Sequence, residues 1–194
     1  MPPFDPGAST CIADNVFPAE VVALINRFAD DRAGQAEKGG VVLADSKHER
    51  ASDMRRSDVV WLDQEPQNQP IYEFIAGFVS KVNTDVFRLD IRSFDEPFQI
   101  ATYRAAANGH YDWHVDIGPG QLSNRKISIV VPLTDPSEYD GGEFQVFHDS
   151  EPATIAMPLG RIVAFPSYLP HRVTPVTRGV RRTMALWVSG PPFR

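Results

Sequence analysis

Apolar residues recur at helical spacing in two stretches near the start of the chain. Over residues 17–33, Val21, Val22, Leu24, Ile25 and Phe28 form one apolar stripe, with Pro18 at the entry and Gly34 just past the end. A proline is tolerated where the first N–H has no partner anyway, and a glycine suits a helix stop, so the pattern predicts a helix over 17–33. Ile71, Phe74, Ile75, Phe78 and Val82 repeat the spacing and predict a second helix over 70–82. Between them, 57–63 (S-D-V-V-W-L-D) reads as a strand. Residues 39–56 are polar, charged and weakly patterned. Such a stretch inside a compact domain is either a surface loop or a binding loop that closes as a lid.

After Phe87 the period changes from helical to alternating. Short β-branched and aromatic runs follow, separated by Pro, Gly, Asn and Asp: F-Q-I-A-T-Y-R, G-H-Y-D-W-H-V, K-I-S-I-V-V-P-L, G-E-F-Q-V-F, A-T-I-A-M, R-I-V-A-F, H-R-V-T-P-V and R-T-M-A-L-W-V. Strands this short at near-regular spacing predict a β-sandwich or jelly roll, with the two helices packed outside it. The expected fold class is mainly β (α+β). The expected organisation is one domain over 1–194, with helical N-terminal support over about 1–85 and a jelly-roll core over about 86–194.

The net charge of −6 argues against a general nucleic-acid binder, which carries a basic footprint. The cations are unevenly spread, however. Arg161, Arg172, Arg178, Arg181 and Arg182 crowd the last quarter, so local positive potential for a small dianion is compatible with the acidic whole. A single cysteine, Cys11, rules out an intrachain disulfide and suits a reducing compartment. The opening M-P-P-F-D-P-G lacks a basic region followed by an apolar core, and no apolar run approaches the roughly 18 residues of a membrane span. A cytoplasmic protein with no membrane partner is expected.

The candidate chemistry sits in Y-D-W-H-V-D and F-P-S-Y-L-P-H-R-V. Strict alternation along a strand would put His110, Asp112, His114 and Asp116 on one face, with Tyr111, Trp113 and Val115 on the other. Of the two His-x-Asp pairs, His114 and Asp116 lie where the strand meets the I-G-P-G turn, at the mouth where a jelly roll holds its ligand. His171 begins a later strand in the same kind of position, whereas His48 lies in the charged loop and His148 in a turn. Two histidines and one carboxylate holding one side of a metal, with the other positions open, are the ligand set of non-haem Fe(II) oxygenases. Arg181 and Arg182 are adjacent, so only one points inward. Arg181 shares a face with Thr183, and a buried guanidinium there would grip a carboxylate in a fork or form a structural ion pair.

At these residues the chain resembles the Fe(II)- and 2-oxoglutarate-dependent dioxygenases, specifically the prolyl 4-hydroxylase-like branch with its bacterial PKHD-type hydroxylases. The resemblance runs from M-R-R-S-D-V-V-W-L through Q-I-A-T-Y-R-A-A-A-N-G-H-Y-D-W-H-V-D, then R-K-I-S-I-V-V-P-L-T-D-P-S-E-Y-D-G-G-E-F, to G-R-I-V-A-F-P-S-Y-L-P-H-R-V-T-P-V-T-R-G-V-R-R and W-V-S-G-P-P-F-R. It implies a double-stranded β-helix and iron ligands His114, Asp116 and His171. It also implies Arg181 on the far carboxylate of 2-oxoglutarate and Tyr103 in the cosubstrate pocket; strand geometry adds Thr183, on the face of Arg181, to that pocket. The G-G-E at 141–143 then reads as a structural turn, and Tyr111 and Trp113 as packing around the site. The implied cofactors are Fe(II), 2-oxoglutarate as cosubstrate and O2, with ascorbate supportive. The implied reaction is hydroxylation of an unactivated C–H, of a prolyl or other residue in a peptide or protein, or of a free amino acid or natural-product intermediate. Arg55, Arg56 and Arg125 are cations that an acidic substrate group could meet. The competing class is a cupin-like metal-binding sensor without turnover.

Overall fold

The computed structural model describes residues 10–40, 54–148 and 151–193. The two predicted helices are α1 (Ala19–Asp31) and α2 (Gln69–Val82). Pro18 is the residue that opens α1, and Pro70 lies in the first turn of α2. Val22, Ile25 and Ala29 of α1, and Ile71, Tyr72, Ile75, Val79 and Val82 of α2, turn inward. Leu24, which the spacing puts in the apolar stripe, is 46% exposed, because it falls off the face that Val22, Ile25 and Ala29 define.

The strands are β1 (Cys11–Ala13), β2 (Glu37–Lys38), β3 (Arg55–Arg56), β4 (Asp58–Leu62), β5 (Phe98–Arg104), β6 (His110–His114), β7 (Arg125–Pro132), β8 (Tyr139–Gly141), β9 (Phe144–His148), β10 (Glu151–Ile155), β11 (Ile162–Pro166), β12 (His171–Val173) and β13 (Val176–Ser189). They form two antiparallel sheets. The larger runs β1-β11-β7-β13-β5-β4-β2, with β8 paired to the start of β13; the smaller runs β10-β9-β12-β6-β3. Strands from before residue 63 therefore join both sheets. Residues 55–56, inside the stretch read as an irregular loop, form a short strand, as do residues 37–38 just before it, while the lid expected over 39–56 falls largely on residues 41–53, outside the described residues.

The central strands β5, β7 and β11 of the larger sheet are buried on both faces, which explains why they read as near-continuous apolar runs. One face meets the helices. Ile100, Ile127, Ile129, Val131, Met184, Leu186 and Val188 pack there with Ile25 and Ile75. The alternate residues Ala101, Tyr103, Val130 and Phe165 face the smaller sheet and cluster with its Phe144, Val146 and Val173. This is the β-sandwich of a jelly roll with helices outside. Arg182 fastens the layers. It projects toward α1 and donates to Asn26 Oδ1 at 2.9 Å and Asp30 Oδ1 at 2.7 Å. Its neighbour Arg181 must then point the other way, into the space between the sheets.

Candidate active site

His114 ends β6 and His171 begins β12, and the two are direct partners in the antiparallel ladder. Asp116 follows β6 and is held by its backbone N–H donating to Ser167 O at 2.9 Å. A ligand atom from each of the three lies within 4.8 Å of the others. The imidazole Nε2 atoms approach the carboxylate at 3.8 Å (His114) and 3.5 Å (His171), too long for hydrogen bonds. Both Nδ1 atoms instead face backbone carbonyls, Asp112 O at 2.7 Å and Leu169 O at 2.9 Å. A carbonyl only accepts, so each Nδ1 carries the proton and each Nε2 directs its lone pair at the shared space. Three acceptors converging without a donor are a cation site, and this mixed nitrogen and oxygen set suits Fe(II).

The structure places these groups through a feature that strict alternation does not contain. Between the pairs His171–His114 and Val173–Tyr111, β6 uses three residue steps against two on β12. The extra residue is a bulge, and a bulge re-aims side chains. Tyr111 was assigned to the face opposite His114. It instead turns inward and stacks on the His114 ring, with centroids 3.4 Å apart and planes 10° apart. Trp113 faces away from the site, edge-on to Phe147 and under the Arg172 guanidinium, so it does not pack around the metal position. His110, with Nδ1 on Asn108 O at 2.7 Å, and the exposed Asp112 stay outside the group. The side chain of His148 and all of His48 lie outside the described residues.

Burial sets the protonation. His114 is held far below the usual imidazole range, at about 3, first by desolvation and then by His171 beside it. For Asp116 desolvation pushes upward, but His171, His114, the Ser128 hydroxyl and Arg125 together outweigh it and hold the carboxyl at about 2. Ser128 Oγ donates to Asp116 Oδ2 at 2.6 Å and lies 3.0 Å from Ser167 Oγ. Neither serine stood out in the sequence, because a lone serine in an apolar strand carries no pattern. Burial drives the Tyr111 hydroxyl up to about 12, so it stays a neutral donor.

Arg181 lies across the same cavity, in register with Tyr103 on the neighbouring strand; Thr183 is also buried on this face. Its guanidinium is 1% exposed and sits 5.4 Å from the Tyr103 ring. None of its three nitrogens has a hydrogen-bond partner among the described residues. The structural ion pair considered for it is therefore not formed there. The cluster of late arginines does not act as one field. Arg161 pairs with Asp14, Arg178 with Asp140 and Arg182 with Asp30. Arg125 is occupied too. It pairs with Glu96, donates to Asp116 O at 3.1 Å and stacks over Trp187 at 3.6 Å, so it supports the site and does not await a substrate.

A jelly roll that brings two imidazoles and a carboxylate together, opposite a buried guanidinium unpaired among the described residues, has the architecture of a metal-dependent oxygenase. Comparison with known proteins narrows that class. Residues 98–189 match the 2OG-Fe(II) oxygenase superfamily model. A PKHD-type hydroxylase of Verminephrobacter eiseniae (strain EF01-2) is 39% identical over 88 residues, covering 42% of this chain and 39% of its own length. One from Polaromonas sp. (strain JS666 / ATCC BAA-500) is 38% identical over 97 residues, covering 47% and 42%. The chain thus aligns with about two-fifths of each relative. A crystal structure of a Pseudomonas putida prolyl-4-hydroxylase superposes with a TM-score of 0.76 at 20% identity, over 95% of this chain and 94% of its own. A Trichoplax adhaerens prolyl hydroxylase, in complex with a hypoxia inducible factor oxygen degradation domain peptide fragment, gives 0.75 at 17% identity, over 94% and 84%. At those identities the structural likeness is one of fold. Just under half of the chain is thus similar to the 2OG-Fe(II) oxygenase superfamily, and the whole shares its fold with prolyl hydroxylases. No described helix is long and apolar enough to cross a membrane.

Proposed function

We propose that the protein is an Fe(II)- and 2-oxoglutarate-dependent hydroxylase of an unactivated C–H. The observation that carries this reading is the pairing of His114, Asp116 and His171 with the Arg181 guanidinium, which has no partner among the described residues, in one cavity. A buried cation with nothing to hold is costly, and a dianionic cosubstrate would relieve it. When bound, Fe(II) with 2-oxoglutarate and O2 supplies the oxidising power, releasing succinate and CO2. The chain's part is to bind and orient. His114, Asp116 and His171 would hold the ion from one side. Ser128 and the two backbone carbonyls fix how those ligands are aimed. Arg181 would take the far carboxylate of 2-oxoglutarate, with Tyr103 and Thr183 shaping the pocket around it. Phe144 and Phe165 pack against His171 and keep water from that side. No side chain is needed as an acid or base.

A peptide or protein substrate, oxidised at a prolyl or another residue, is the first to test. It is supported by the names of the relatives and by the peptide bound to the Trichoplax enzyme. A second reading, a free amino acid or natural-product intermediate, is supported by the buried Arg55 that lines the same cavity. Succinate formation from 2-oxoglutarate by purified protein with Fe(II), ascorbate and O2 tests the activity. His114→Ala and His171→Ala are expected to abolish it, and His110→Ala to keep most of it. A metal-binding sensor would bind Fe(II) and show no turnover with any substrate. An inactive His110→Ala beside an active His114→Ala would sink the choice of ligands.

A further inference from the structure

Arg55 is 6% exposed, and it carries the second buried guanidinium of the cavity that holds the metal-ligand set. It pairs with Tyr111 across the β3–β6 ladder, and its guanidinium lies 4.6 Å over the Tyr111 ring, the ring that stacks on His114. Among the described residues its hydrogen bonds go only to neutral acceptors: Nε to Ser57 Oγ at 2.8 Å, Nη2 to Gln99 Oε1 at 2.6 Å and Nη1 to Gly40 O at 3.4 Å. Among the described residues no carboxylate pairs with it. Neutral acceptors fix the orientation of a guanidinium but leave its charge uncompensated, which is the arrangement of a site built to receive an anion.

Two further observations give the direction and the class of that anion. Arg55 also lines a second, larger cavity of about 370 Å³, whose walls include Lys38, Arg56 and Arg104, with Asp58 as the acid among its lining residues. Asp58 is taken up by Lys38 at 2.6 Å and Arg104 at 3.5 Å. The outer cavity is therefore electropositive and would draw an anion toward Arg55. The inner cavity has an unfilled charge balance, which rests on the oxygenase reading above. A divalent ion, Arg181 and Arg55 set against Asp116 and a dianionic cosubstrate leave one positive charge over. One substrate carboxylate neutralises it.

We propose that Arg55 determines substrate specificity by gripping a carboxylate on the molecule to be oxidised, so that substrates of this site are carboxylic acids. The carboxylate can come from a free amino acid or similar small acid, or from an acidic side chain or C-terminus of a peptide. The burial of Arg55 excludes neutral main chain as its partner of choice.

The test uses the full chain with Fe(II), 2-oxoglutarate and O2, and reads succinate release above the rate without substrate. The probes are the free L-amino acids, each paired with its carboxamide, and blocked prolyl peptides with or without an adjacent acidic residue or a free C-terminus. Acids are expected to stimulate, with matched amides weaker by about tenfold or more in kcat/KM. Small acids against acidic peptides separate the two sources. Arg55→Gln is expected to bring the acid-to-amide ratio close to one, and Arg55→Lys to restore part of it. If Arg55→Gln does not fold, the ratio in the unaltered protein decides alone. A neutral blocked peptide or an amide used as well as any acid would overturn the proposal, and so would a panel in which no acid stimulates. Mn(II) and 2-oxoglutarate affinities are measured separately. If both bind and the acid preference is absent, only the role of Arg55 fails; if they do not bind, the oxygenase reading fails with it.

Discussion

At the scale of single residues, Arg181 and Arg182 show how adjacent arginines acquire opposite duties. Strand alternation sends Arg182 to α1, where Asp30 meets it, and sends Arg181 inward, where no described residue does. The cation–π contact with Tyr103, at 5.4 Å between two buried groups, contributes about 2 kcal/mol, less than a buried guanidinium without a hydrogen-bond partner costs. The ligand-free protein therefore carries a stability deficit at this position. Arg181→Met keeps the length and removes the charge. It is expected to raise the unfolding free energy of the ligand-free protein by about 1–3 kcal/mol. It should also weaken 2-oxoglutarate binding by about 100-fold, through loss of a desolvated charge-assisted pair. Thermal melts with and without 2-oxoglutarate read both effects at once. A variant that melts lower without ligand, yet still gains stability from 2-oxoglutarate, would show that Arg181 is structural.

At the scale of elements, the link between β8 and β9 shapes the Arg181 side of the cavity. Gly141 and Gly142 both have left-handed backbone, at φ +69° and +59°. A Cβ on Gly142 would lie 2.7 Å from Arg181 Cδ and 2.9 Å from Val176 Cγ2. Gly142→Ala is thus strained in its backbone by about 1–2 kcal/mol and pushes directly on the guanidinium stem. A lowered melting temperature is expected together with a several-fold rise in the KM for 2-oxoglutarate. An unchanged KM would mean that the turn supports the sheet without setting the position of Arg181.

The same scale shows what the sequence reveals and what it hides. The helices were legible because their apolar positions repeat at one period. The central strands were legible because burial on both faces leaves long runs such as K-I-S-I-V-V-P-L. His114, Asp116 and His171 could be picked out because each sits where a strand meets a turn. β8 was missed, since Y-D-G reads as a turn and pairs only with a distant strand. β13 was broken in two by T-P-V-T-R-G, although Gly179 at φ +72° and a register shift between Val176 and Arg178 let the chain stay extended from Val176. The bulge in β6 was invisible because it is a property of the pairing with β12. Arg55 was noted only as one of several cations, because its burial depends on β3 pairing with β6.

At the scale of the whole molecule, the site imposes a pH dependence on folding that can be worked out from the sign of its shifts. Unfolded, His114 titrates near 6.5; folded and without metal, burial holds it at about 3. Between those values the unfolded chain binds a proton that the folded chain refuses, so stability falls as pH falls through that window. Asp116 acts in the same direction lower down. Its folded value of about 2 lies below the unfolded carboxyl, so its contribution is present above about 4 and is lost as pH falls toward 2. The surface pairs of Asp14 and Asp140 are too exposed to compete. Urea unfolding of the metal-free protein in chelator is therefore expected to lose up to about 1.4 kcal/mol per pH unit to His114 between pH 6 and 4. His114→Gln, which cannot take up that proton in either state, should flatten the slope by as much. An equal slope in both proteins would mean that the imidazole meets water in the folded state and is not the desolvated, neutral group that the cavity geometry describes.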